Sequence, residues 1–180
     1  MNKLTKLITG AIASLGITMS ATPVKADIYE EHYYLWKTLE QVGVKVNLNH
    51  PDDCKPGVDG IYDSIRAYIT ICQDNAITAY EPTEWTANDL DTLRHEAQHV
   101  IQDCVDNRLG DGNIQPMFDD VKERQEFVVG ILGPDRVKNI VFNYRQSNAN
   151  IIESELEAHA VAQQIDAKSI AAKLITVCAS

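Results

Sequence analysis

One amphipathic helix in the middle of the chain constrains the fold more than any other feature of the sequence. We predict that it begins at a cap, Thr86 or Asn88, runs to about Asn107 and ends near Gly110. Successive residues of a helix lie about 100° apart around its axis, so its apolar residues form one stripe. That stripe is predicted to face the core, and it contains Leu90, Leu93, Ala97, Val100, Ile101 and Cys104.

The opposite side of this helix carries two histidines, His95 and His99, with Glu96 directly after the first. Two imidazoles four residues apart on a helix face the same way and can bind one metal ion, whereas adjacent ones point apart. The pattern His-Glu-x-x-His on a helix is typical of a zinc site. The spacing therefore predicts that His95 and His99 bind zinc; the alternative is a solvated helix face with two surface histidines.

The other segments predict strands before this helix and helices after it. Residues 28–43 have helical spacing, residues 44–49 alternate as a strand does, and residues 60–72 indicate a hairpin broken near Asp63. Helices are predicted over about 119–131, 134–144 and 148–166, with a short apolar piece at 169–178. Strands grouped before helices predict an α+β fold.

The first 26 residues have the pattern of a secretory signal peptide. Lys3 and Lys6 precede an apolar run at residues 7–17, and small residues occupy the positions before a predicted cleavage at Asp27. The mature domain would then be residues 27–180, either periplasmic or secreted. No later run of 18 apolar residues occurs, so no membrane insertion is expected after cleavage.

The charge of the chain excludes some partners. The net charge is −10, and loss of the three lysines in residues 1–26 would make it −13. A chain this acidic is not expected to bind nucleic acid or anionic membrane surfaces.

An even number of cysteines in an exported chain favours disulfides. We expect Cys54–Cys72 to join adjacent β elements and Cys104–Cys178 to tie the C-terminal tail to the central helix. The alternative is a zinc–thiolate site, although the chain has no Cys-x-x-Cys pair. Cys104 lies in the core stripe and so cannot share a metal with the two histidines.

A catalytic zinc site needs a third protein ligand, and the best candidate is Glu155. On a wheel of residues 150–164 it is the lone carboxylate of an alanine-lined apolar face, while Glu153 and Glu157 fall on the wetter face. A buried carboxylate is costly unless a positive charge meets it, either zinc or a basic side chain such as Arg94. His159, one turn further, is the alternative ligand or a partner of a ligand.

These two motifs, His95-Glu96-x-x-His99 and Glu155-x-Glu157-Ala158-His159, resemble those of the gluzincin class of zinc metallopeptidases. The second is similar to the ExxAD motif of the CaaX-prenyl-protease-like peptidases, with His159 in place of the aspartate and without their transmembrane helices. The resemblance implies a zincin-like fold, in which a small β-sheet packs on the active-site helix, ahead of a helical C-terminal half. It also implies that His95, His99 and Glu155 hold Zn²⁺ and that Glu96 is the catalytic base.

The resemblance further implies a peptide or protein substrate, extended along an edge strand that part of residues 66–72 would form. His159, Tyr144 and Arg145 are the candidates for stabilising the oxyanion. The competing hypothesis is a non-catalytic, disulfide-stapled secreted binding domain with a structural zinc or no metal.

Overall fold

The computed structural model describes residues 28–73 and 82–178, which form five helices and one three-stranded sheet. The α+β prediction is confirmed, and the likeness to zincins stays a prediction. The predicted signal peptide and its cleavage point lie outside the described residues. In chain order the elements are α1 (Ile28–Gln41), β1 (Lys45–Leu48), β2 (Gly60–Asp63), β3 (Tyr68–Ile71), α2 (Ala87–Asp103), α3 (Val121–Asn143), α4 (Ala149–Gln164) and α5 (Ala167–Cys178).

The sheet has the strand order β1-β3-β2. β1 runs parallel to β3, and β2 and β3 form the predicted antiparallel hairpin, with Tyr62 opposite Ile69. The prediction that residues 66–72 supply the edge strand is therefore wrong. In β3, Ile69, Thr70 and Ile71 are all fully buried, as expected for a strand covered on both faces and paired on both edges. The edge strand beside α2 is β2 instead.

Helix α2 begins at Thr86, one of the two predicted caps. The Thr86 hydroxyl accepts from the Asp89 amide at 3.2 Å, and the Asp89 carboxylate accepts from the Thr86 amide at 2.7 Å, which forms a capping box. The helix ends at Asp103, earlier than predicted. Asn107 and Gly110 both have positive φ, and the Gly110 amide donates to the Asp103 carboxylate at 2.7 Å, so the chain turns here.

The apolar stripe of α2 faces the main core, as predicted. The sheet, α1 and α5 cover this stripe, and the core they form contains Leu35, Leu39, Ile69, Ile71, Leu93, Ile101, Ile170 and Leu174. At about 25 cal/mol per Å² of apolar surface, burial of these side chains is the main force that holds α2 in place.

Both predicted disulfides are present. Cys54–Cys72 joins the loop after β1 to the end of β3, and Cys104–Cys178 ties the end of α5 to the end of α2. The zinc–thiolate alternative is therefore wrong, because every cysteine of the chain is bonded to another. The second bridge fixes α5 over the apolar stripe of α2.

Helix α4 packs between α2 and α3. Its contact with α2 is close because small side chains, Ser154, Ala158 and Ala162, are buried along it. Helix α3 is kinked at Gly133, which has positive φ, directly before Pro134. Among the described residues, no helix is long and apolar enough to cross a membrane.

Candidate metal centre

His95 and His99 lie on adjacent turns of α2 and face each other. Their Nε2 atoms are 3.1 Å apart, and the ring centroids are 4.7 Å apart in an edge-on arrangement. The core holds the apolar side of α2, so this pair points away from the sheet side and towards α4. The two rings therefore present ring nitrogens to one common point.

Glu155 of α4 reaches that point. One carboxylate oxygen, Oε2, is 3.4 Å from His95 Nε2, and the other, Oε1, is 3.5 Å from His99 Nε2. The alternative ion pair with Arg94 does not form, because Arg94 donates to Asp91 at 2.8 Å and contacts His32 at 3.3 Å. The structure thus brings together the three residues that the two motifs single out.

His159 lies one turn beyond Glu155 and completes a wider group. Its ring centroid is 4.4 Å from that of His95. One potential ligand atom from each of His95, Glu155 and His159 lies within 4.8 Å of the others. This cluster could bind a metal ion.

One atom of the cluster tests whether a cation fits. Glu155 Oε2, the oxygen that faces His95 Nε2, is buried and has no hydrogen-bond partner among the residues that the structure describes. A buried carboxylate oxygen normally accepts hydrogen bonds, and leaving one without a donor costs about 1–3 kcal/mol or more. A donor set of imidazole nitrogens with such an oxygen fits a divalent cation.

The charges of these groups depend on one another. Burial raises the pKa of Glu155, but the neighbouring imidazoles of His95 and His99 outweigh this effect and hold that pKa well below its usual range. Burial lowers the pKa of His99, but Glu155 and Glu96 raise it to about 9. Without a metal, the His99–Glu155 pair therefore holds a proton at neutral pH. Burial, together with the charge of His95, lowers the pKa of His159 to about 4, so its ring is neutral.

Glu96 lies beside the cluster, against strand β2. A Cβ atom added to Gly60 would lie 2.5 Å from Thr92 Cγ2 and 3.1 Å from Glu96 Oε1, so only glycine allows this approach. Burial raises the pKa of Glu96, and the charges of His95 and His99 lower it in part. The Glu96 carboxylate is thus buried at the edge of the sheet, and it binds a proton more readily than an exposed glutamate does.

A cleft of about 330 Å³ opens over Glu96 and His95. Tyr144 lies in it close to Glu155, and burial followed by the charge of Glu155 raises the pKa of the tyrosine. Arg145 is not in the cleft, because it donates to the Phe142 carbonyl at 2.7 Å and stacks on its ring. The cleft is lined by Gly57, Val58, Asp59, Gly60, Asn88, Asp91, Thr92, His95, Glu96, Arg136, Tyr144 and His159.

The prediction that Glu157 lies on a wet face of α4 is wrong. It is fully buried, and its carboxylate accepts hydrogen bonds from Gln98 at 2.8 Å, Gln102 at 3.1 Å and the Met117 amide at 3.0 Å. The wheel treated α4 as a helix with one covered side, but α2 and the segment 114–118 cover a second side. Glu153 is half-exposed and pairs with Arg124 at 2.5 Å.

Sequence reasoning also missed the role of Gln102. Its side chain is fully buried and contacts His99 at 2.8 Å. The spacing of three residues from His99 was the available signal, since residues three apart meet on a helix surface.

Comparisons with known proteins found no family model, no curated protein and no solved structure that matches this chain.

Proposed function

We propose that the chain is an exported zinc-dependent peptidase. The observation that carries the proposal is the meeting of His95, His99 and Glu155 at one point, next to Glu96, where His95 and Glu96 line a cleft. Metal ligands beside a buried carboxylate, in a cleft that a substrate can enter, are the parts that metal-assisted hydrolysis requires.

The distances between the donor atoms support zinc. A tetrahedral site with zinc–ligand distances of about 2.0–2.1 Å has donor atoms about 3.3–3.4 Å apart. Here the two Nε2 atoms are 3.1 Å apart, and each faces a different oxygen of Glu155, His95 at 3.4 Å from Oε2 and His99 at 3.5 Å from Oε1. Imidazole and carboxylate donors also suit zinc. Three protein ligands leave a fourth position open, which is the arrangement of a catalytic zinc site.

When bound there, zinc would supply a Lewis acid that polarises a carbonyl and lowers the pKa of water. Glu96 removes the proton of the attacking water and passes it to the leaving amine. Its buried position and raised pKa suit a general base that works near neutral pH, and the charge of the cation moderates this pKa.

Two cleft residues are suited to the developing oxyanion, His159 and Tyr144. Both lie on the side of the cleft that α3 and α4 form, across from β2. A neutral imidazole and a phenol can each donate a hydrogen bond to an oxygen that gains charge. Arg145, the third sequence candidate, is held at Phe142 and is dropped from this role.

A peptide substrate would lie along residues 57–60, which line the cleft and lead into the edge strand β2. An edge strand satisfies the amides of an extended peptide regardless of its sequence. This binding mode replaces the one first assigned to residues 66–72.

The direct test of the chemistry is Glu96→Gln, assayed on a denatured protein substrate. The variant should keep its zinc, because Glu96 is not a ligand, and cleavage should fall by about 100- to 10,000-fold, the usual contribution of a general base. Gln164→Ala, on the exposed end of α4, is the control and should cleave like the wild type. Full activity of Glu96→Gln would remove the proposed base.

One observation favours the non-catalytic alternative. The contact of 3.1 Å between the two Nε2 atoms, with Glu155 next to both, is also stable when protons replace the cation. If the chain is such a binding domain, the wild type should cleave no substrate. Chelators should then leave its function unchanged, unless the fold itself needs metal. The Glu96→Gln experiment also tests this alternative, because it begins by measuring whether the wild type cleaves the substrate.

Export is part of the proposal. Two disulfides fit an oxidising compartment, and the predicted leader would direct the chain there. Expression of the full chain, followed by N-terminal sequencing of the protein recovered outside the cytoplasm, should give Asp27 as the first residue.

A further inference from the structure

Gln102 links the candidate metal centre to a buried carboxylate outside it. Its Oε1 lies 2.8 Å from His99 Nδ1. Its Nε2 donates to Glu157 Oε1 at 3.1 Å and to the Ser154 carbonyl at 3.0 Å. A fully buried amide thus has a partner on each side.

The orientation of this amide follows from chemistry. The Glu157 carboxylate and the Ser154 carbonyl are both acceptors, so the amide group that faces them must be the NH₂. The reverse orientation would place the amide oxygen against two acceptor oxygens in a buried site, and it would also place the NH₂ against His99. Gln102 therefore presents its carbonyl oxygen to His99.

We infer that Gln102 and Glu157 are positioning residues for the ligand His99, an inference that rests on the proposed metal site. A carbonyl oxygen beside Nδ1 requires a proton on Nδ1. In a neutral imidazole the lone pair is then on Nε2, the atom that faces His95 and Glu155. The pair thus fixes the tautomer and the ring orientation that metal binding needs.

Glu157 is a rigid anchor for this arrangement. Besides Gln102, it accepts from Gln98 at 2.8 Å, from the Met117 amide at 3.0 Å and from the Phe118 amide at 3.4 Å. Donors from α2 and from the segment before α3 therefore hold one carboxylate of α4. A carboxylate held by several donors cannot turn away, so Gln102 cannot turn either.

The other imidazole lacks such support. His95 Nδ1 has no hydrogen-bond partner among residues 28–73 and 82–178. The two ligands of α2 are thus unequal, with His99 fixed in advance and His95 free to take its tautomer when the cation binds.

A matched pair of variants tests the inference, Gln102→Met and Gln98→Met. Both residues are buried on α2 and both donate to Glu157, but only Gln102 contacts His99. Methionine keeps the length of the side chain and removes the amide. The zinc Kd is measured for the purified chain by competition with a chromophoric chelator, with zinc alone as the ligand, and stability is measured by urea unfolding.

We expect Gln102→Met to raise the zinc Kd by about 10- to 100-fold, the usual loss when the partner of a ligand is removed. Gln98→Met should lower the urea midpoint by a similar amount to Gln102→Met and leave the zinc Kd at the wild-type value. Equal Kd values for the two variants would overturn the inference while leaving the metal site itself standing. A wild-type chain that binds no zinc would overturn both.

A second measurement needs no variant and so does not depend on folding of a mutant. Long-range proton–nitrogen NMR of the zinc-loaded wild type resolves the five histidines and reports which ring nitrogen carries the proton. His99 should be protonated at Nδ1 and bound to zinc through Nε2. Coordination through Nδ1 would overturn the inference.

Discussion

Helix α4 brings two carboxylates to α2, and the two have different hydrogen-bond surroundings. Glu157 is surrounded by donors, two amide side chains and two backbone amides, and its charge is satisfied by the protein alone. Glu155, two residues earlier, lies beside two imidazoles and Tyr144, and it keeps one buried oxygen, Oε2, without a hydrogen bond from the described residues. This difference fits the proposal that Glu157 stabilises the fold and that Glu155 binds a cation.

The largest effect on stability is expected for Glu157→Ala. The substitution leaves two amide side chains and two backbone amides of the interior without their acceptor, so we expect the free energy of unfolding to fall by about 3–5 kcal/mol. Urea unfolding of the zinc-free protein measures it. The control Gln164→Ala, at an exposed position of the same helix, should change it by less than about 0.5 kcal/mol. If the free energy of unfolding of Glu157→Ala falls as little as that of the control, Glu157 does not stabilise the fold as proposed.

The next effect separates Glu155 from Glu157 through the metal. A cation that binds only the folded state stabilises it by about 2.7 kcal/mol at a free concentration of 100 times Kd. Adding zinc to the stripped wild type should therefore raise Tm, and a chelator should reverse the rise. Glu155→Ala should lose this zinc-dependent shift. If the variant keeps it, Glu155 is not a ligand and the comparison between the two carboxylates fails.

The smallest effect, for a change of one pH unit, is the dependence of zinc affinity on pH. In the metal-free protein, burial lowers the pKa of His99, but Glu155 and Glu96 raise it to about 9. Below that pH the ring carries a proton that zinc must displace, so affinity falls as pH falls. One displaced proton corresponds to about tenfold in Kd per pH unit, or about 1.4 kcal/mol. Competition titrations between pH 9 and 6 measure the slope, and a Kd that does not change with pH would contradict a metal bound through His99.

Much of the fold could be predicted because its signals are local. The cap at Thr86, the apolar stripe of α2 and the hairpin of residues 60–72 each depend on residues close in sequence. The two disulfides also followed, because Cys104 lies in the core stripe and Cys178 ends the last apolar segment.

The errors came from contacts between distant segments. A wheel describes one helix, so it could not show that the segment before α3 crosses α4 and supplies amides to Glu157. Likewise, the hairpin pattern of residues 60–72 did not reveal that β1 pairs with β3 on its other edge and makes β3 the central strand. The close approach of β2 to Glu96 is possible because Gly60 has no Cβ atom, and the sequence alone does not show that these two residues meet.

The candidate site lies between these cases. The spacing of His95 and His99 placed both rings on one side of α2 before any contact was known. Glu155 was selected because a lone carboxylate on an apolar face needs a positive partner, a physical requirement and not a local pattern. Gln102, which contacts His99, had only its spacing of three residues from His99 as a signal, because buried and exposed glutamines look alike in a sequence.

The central claim is that Glu155 and the two histidines of α2 hold one zinc ion. The most direct measurement is the metal content of the purified chain by elemental analysis, for the wild type, Glu155→Ala and the control Gln164→Ala. The account predicts about one zinc per chain in the wild type and the control, and almost none in Glu155→Ala, because two imidazoles alone bind the ion weakly. Zinc that remains at wild-type stoichiometry in Glu155→Ala would contradict it.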